Sequence, residues 1–89
     1  MSLNVSVERD EDQILAIYIR VREGKVARTV EIAEGACYAD EDIDGNLLGV
    51  EMVAPGQVRI NVKAVSERYG SKYPAVEELL NSALDTVNV

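Results

Sequence analysis

The chain has 89 residues, 47% of them apolar and 28% charged, a composition for one globular domain over 1–89 with a thin core and no room for a deep cleft. Sixteen acidic residues against nine basic ones leave a formal charge of −7, so nucleic acid is repelled on average and is excluded as an expected partner. Histidine is absent, which removes the commonest general base, the Ser-His and Cys-His pairs and the usual zinc ligand, so neither an enzyme nor a cofactor is expected.

Leu3, Val5 and Val7 alternate with Asn4, Ser6 and Glu8, the period of a strand with one wet face. After the charged connector Arg9-Asp10-Glu11-Asp12, Leu15, Ile17, Ile19 and Val21 alternate with Ala16, Tyr18, Arg20 and Arg22, predicting a second strand. Glu23-Gly24-Lys25 then reads as a hairpin turn, with Val26, Val30 and Ile32 on a returning third strand. Glu34-Gly35 turns the chain again, and residues 36–39 are short and apolar enough for a fourth strand. The turn-forming run 40–46 precedes a fifth strand from Leu47 to Val53, which halts before Pro55-Gly56. Such short links predict an antiparallel five-stranded meander over 3–54.

Between Val58 and Tyr69 two spacings coexist. Val58, Ile60, Val62 and Ala64 alternate like a strand, while Val58, Val62, Val65 and Tyr69 follow helical intervals; helix is preferred, with Gly70 as a left-handed cap and Arg68 at the negative end of the dipole. A last helix within 74–87 has Pro74 in its first turn, Glu77 and Glu78 at its positive end, and Val76, Leu79, Leu80, Ala83, Leu84 and Val87 on one face. The resulting class is α+β, with one or two C-terminal helices, 58–87, packed on one face of the sheet.

Asp40, Asp42, Asp44, Gly45 and Glu51 have the spacing of an EF-hand calcium loop. That chemistry needs flanking helices to return the last carboxylate to the ion, and both flanks here read as strand. The preferred reading is a turn, in which Asp42 and Asp44 bond nearby amides and Gly45 is left-handed; a weak divalent site at Asp40, Asp42, Asp44 and Glu51 is the alternative. Tyr18, Arg20 and Arg22 share a strand face and Arg28 is expected near them, a candidate anion site unless these arginines simply pair with carboxylates. Cys37, the single cysteine, excludes an internal disulfide and reads as a buried thiol. Seven carboxylates and no lysine or arginine lie between Thr29 and Val58, predicting one negative sheet edge.

The blocks Asp12-Gln13-Ile14-Leu15-Ala16-Ile17-Tyr18-Ile19-Arg20, Val26-Ala27-Arg28-Thr29-Val30-Glu31 and Asp42-Ile43-Asp44-Gly45-Asn46-Leu47-Leu48-Gly49-Val50-Glu51-Met52 resemble the bacterial domain of unknown function 2283 family. The resemblance covers roughly Val5 to Ala54 and implies a small antiparallel sheet, with no activity or catalytic residue to carry over.

No apolar stretch is long enough to span a bilayer and the amino end has no basic-then-apolar signal, so a cytoplasmic protein without a membrane partner is expected. The leading functional expectation is a non-enzymatic module that forms a homodimer, with Val26, Val30, Ile32, Leu48, Val50 and Met52 supplying apolar area beyond what two short helices cover. The alternative is an acidic, antitoxin-like neutraliser of a basic protein, using the negative edge and the last helix.

Overall fold

The structure, a computed structural model, describes residues 4–53 and 55–87. Five strands, β1 (Asn4–Asp10), β2 (Gln13–Arg20), β3 (Arg28–Ala33), β4 (Cys37–Glu41) and β5 (Leu47–Val53), precede a single 3-10 turn and the helices α1 (Val58–Tyr69) and α2 (Val76–Thr86). The sheet is antiparallel throughout and both helices cover one of its faces, the α+β arrangement that the apolar alternation predicts. Leu3, counted in the first strand from its alternation, lies outside the described residues.

Strand order is β1-β2-β5-β4-β3, so the expected meander is incorrect, and β2 and β3 form no hairpin. β2 pairs with β5 instead, Ile17 against Met52 and Ile19 against Val50, bringing the two most apolar strands together at the centre. Residues 21–27 cross the end of the sheet, and four strands thereby make a Greek key. Both the Val21 and Arg22 amides donate to the Leu48 carbonyl, and the Ala27 amide donates to Glu41 at the far side of the crossing. Gly24 serves this passage rather than a tight turn: a methyl there would stand 2.8 Å from Leu48 Cδ2. Val26 consequently lies in the crossing loop and not on the third strand, 44% exposed.

The core joins Ile17, Ile19, Cys37, Ala39, Val50 and Met52 of the sheet to Val62, Val65 and Tyr69 of α1 and Val76, Leu80 and Leu84 of α2. Leu15 follows the same alternation but stays 40% exposed, because pairing with β5 begins only at Ala16 and the β1–β2 hairpin projects beyond the sheet. The segment with two spacings is helical, since that choice alone buries Val58, Val62, Val65 and Tyr69 together. Gly70 is right-handed, φ −61°, not the left-handed cap expected: its amide donates to Ser66 and that of Tyr73 to Tyr69, so the chain keeps turning into α2. Glu77 and Glu78 occupy the first turn of α2, where the dipole favours them. No helix among the described residues is long and apolar enough to cross a membrane.

One core position is imperfect. Asn61 on α1 is 1% exposed and its Nδ2 has no hydrogen-bond partner. An orphaned buried donor costs about 1–3 kcal/mol. Asn61→Leu, with the same branching and no donor, is therefore expected to raise the urea midpoint, and Asn61→Asp, which buries a charge, to lower it. If the Asn61→Leu variant were less stable than the parent, the amide would have a role the packing does not reveal.

Candidate functional site

The face of the sheet away from the helices is polar and carries one connected network. The Tyr18 hydroxyl donates to Asp40 Oδ2 at 2.8 Å and Thr29 Oγ1 donates to Oδ1 at 2.7 Å, so β2 and β3 both bond to the β4 carboxylate. Tyr18 reaches Asp40 by lying across β5, which requires Gly49 beneath the ring, where any side chain would collide with the phenol. Burial, and then the bond to Asp40, push the Tyr18 hydroxyl up to about 12. Arg20 stacks beside it, its guanidinium 5.9 Å from the ring centroid.

Of the four residues proposed for an anion site, Tyr18 and Arg20 share this face, while the structure places Arg22 and Arg28 elsewhere. Arg28 belongs to the helix side and pairs with Glu41, Nε to Oε1 at 2.7 Å; Arg22 lies past the end of β2 beside the 42–46 loop. A residue advance of one along a strand reverses the face, which is why Thr29 meets Asp40 and Arg28 meets Glu41.

The same alternation breaks up the expected negative edge. Asp40 is bonded on the open face, Glu41 is buried on the other with Arg28 and Tyr69, and only Glu31, Glu34, Asp44 and Glu51 stand exposed. Burial alone would raise the Glu41 carboxyl, but hydrogen bonds from Tyr69 and Arg28 outweigh it and hold the group below the ordinary glutamate value.

Nor do Asp40, Asp42, Asp44 and Glu51 converge. Asp42 accepts from the Asp44 and Asn46 amides, both at 2.9 Å, and from Asn46 Nδ2, while Gly45 is left-handed at φ +84°. These bonds, those from Asn46 foremost, hold the Asp42 carboxyl low. Glu51 sits on β5 across from Tyr18 and Tyr38. Among the described residues no three acidic or cysteine side chains are grouped to hold a metal ion. Cys37 is fully buried, which pushes its thiol up to about 11 and leaves it unreactive.

Among the described residues the sheet ends at two edge strands, β1 and β3. β3 is bonded to a strand on one side only, so alternate amides and carbonyls along it have no strand partner. Val30 and Ile32 on this strand are partly exposed, and Ile32 borders a shallow groove against Ala64, Glu67 and Arg68 of α1. One turn before Ala64 on the same helix, Ile60 is 66% exposed, an apolar side chain left largely in solvent. By contrast Leu48, Val50 and Met52, expected to supply interface area, are fully buried within the chain, because β5 is a central strand. Sequence patterning marked Val30 and Ile32 but gave no reason to single out Ile60, whose exposure depends on the angle at which α1 docks.

No family model matches the chain, and neither does a curated protein or a solved structure.

Proposed function

We propose that the protein is a non-enzymatic interaction module that self-associates through the β3 edge. The observation that carries this reading is the edge strand β3, whose Ile32 borders a groove against Ala64 of α1, with Ile60 exposed one turn earlier on that helix. A two-fold axis normal to the sheet would pair β3 with its copy in antiparallel fashion and bring both α1 helices together on the same face. Centred on Val30, the pairing sets Thr29 against Glu31 and Arg28 against Ile32 of the second copy, with no like charges opposed. Ile60 and Ala64 of each copy then face one another across the axis and lose their exposure.

Neutralising a basic partner is the less favoured reading, since the carboxylates it needs on one edge are divided between two faces and partly bonded within the chain. Membership of the domain of unknown function 2283 family is part of the same proposal, its three blocks falling on β2, on β3 with the loop before it, and on β5 with the loop before it.

Light scattering at high micromolar concentration is expected to give twice the chain mass. Ile60→Glu, at a site too exposed to matter for folding, is expected to weaken association by roughly tenfold or more. Val30→Cys is expected to form an interchain disulfide under mild oxidation, the native Cys37 being buried. A parent chain that stays monomeric at these concentrations would overturn the proposal.

A further inference from the structure

At the end of the sheet where residues 21–27 cross, the 42–46 loop and the link between α1 and α2 enclose a cleft of about 310 Å³. That is the lower end of the range for small-molecule sites. Its walls are apolar: the buried Val21 and Leu47 and the rings of Tyr69 and Tyr73. Its remaining side chains include two cations, Arg22 and Lys72, which approach from different segments of the chain. We infer that this cleft binds a small organic anion, an apolar body carrying one carboxylate or phosphate head, with the body against the tyrosine rings and the head between Arg22 and Lys72.

Three features support that chemistry. First, both cations are exposed and neither forms an ion pair among the described residues, where the pairs are Arg28 with Glu41 and Arg59 with Asp85. Second, two carboxylates beside the cleft, Asp42 and Glu41, are already committed, while Asp44 in the same loop stays exposed. Asp42 accepts three hydrogen bonds from its own loop, with the charge of Arg22 nearby, and Glu41 accepts from Arg28 and Tyr69. A chain of net charge −7 thus lines its apolar cleft with two cations that form no ion pair among the described residues.

Third, the walls are held in place without a ligand. The Tyr69 hydroxyl is bonded to Glu41, which fixes its ring, and the Asp42 bonds with the left-handed Gly45 set the course of the loop. A preformed site avoids the ordering cost that weakens binding to mobile surfaces.

The probes are phenylacetate, phenyl phosphate and the neutral phenylacetamide, followed by amide shifts in ¹H–¹⁵N spectra of the whole chain. Either anion is expected to move the Arg22, Asn46, Leu47 and Tyr73 signals at low millimolar concentration, and the tighter of the two identifies the head group. Phenylacetamide is expected to bind at least about tenfold more weakly, and Arg22→Gln with Lys72→Gln to weaken phenylacetate by a similar factor, as loss of charge-assisted bonds requires. Both substitutions are at exposed sites, and a spectrum otherwise like the parent's shows the fold intact. No shift with either anion, equal binding of the amide, or undiminished binding by the double variant would overturn the inference. The Ile60→Glu protein serves equally well as host, so the result does not depend on self-association.

Discussion

Alanine at position 49 is expected to lower stability by about 2 kcal/mol, although the substitution adds only a methyl group to a central strand. The added carbon would overlap the Tyr18 hydroxyl and lie 2.5 Å from Cζ, so the phenol must leave β5 and give up its bond to Asp40. A hydrogen bond to a charged acceptor is worth roughly 1.5–3 kcal/mol, and the ring loses packing as well. Against this, alanine recovers roughly 0.4–1 kcal/mol by restricting the unfolded chain. A double-mutant cycle separates the terms. In a Tyr18→Leu background Gly49→Ala should cost little or even stabilise, because the obstructing ring is gone. Equal destabilisation in both backgrounds would show that the glycine is needed for the strand itself and not for the crossing phenol.

The second large effect is on the acid side. Burial would lift the Glu41 carboxyl, but the Tyr69 and Arg28 hydrogen bonds and the charges of Arg28 and Arg68 carry it below the ordinary value of 4.5. With the folded value below the unfolded one, the unfolded state binds more protons in the interval between them. The stabilisation is therefore complete above pH 4.5 and drains away as pH falls through the folded value. Glu41→Gln is expected to cost about 2 kcal/mol at pH 7, less than a fully buried pair because Arg28 is half-exposed. It should also flatten the fall in urea midpoint below pH 4.5, a range to which the lowered Asp42 carboxyl contributes as well. A variant whose stability falls as steeply with acid as the parent's would contradict the assignment. At the alkaline end the sign reverses: Tyr18 and Tyr69 are pushed from 10 to about 12, each by burial first and then by its carboxylate partner. Their contribution is present below pH 10 and is lost as pH rises toward 12.

Local pattern and distant contact were not equally legible. Alternation in β2, the limits of β5 and the buried face of α2 could all be read from the residues, because each is a property of one segment. Strand order could not. Short links favour pairing between consecutive strands, whereas the actual order depends on β2 and β5 burying Ile17, Ile19, Val50 and Met52 side by side. The bonds of Tyr18 to Asp40 and of Tyr69 to Glu41 join residues 22 and 28 positions apart, beyond any spacing rule. One sign of the first was present: a glycine inside a strand pattern marks a close approach, and Gly49 is where Tyr18 crosses. The four candidate anion-site residues separated for a simpler reason. Arg28 opposes Glu41 and so takes the helix side of the sheet, while Arg22 has already left β2.

Self-association through an edge strand has a direct signature in backbone exchange. Hydrogen exchange of the amides across 28–32, followed over a dilution series from high to low micromolar, should show protection that rises with concentration at alternate residues, while the amides of β5 stay protected throughout. Edge amides that exchange equally fast at every concentration would contradict pairing of β3 with a second copy.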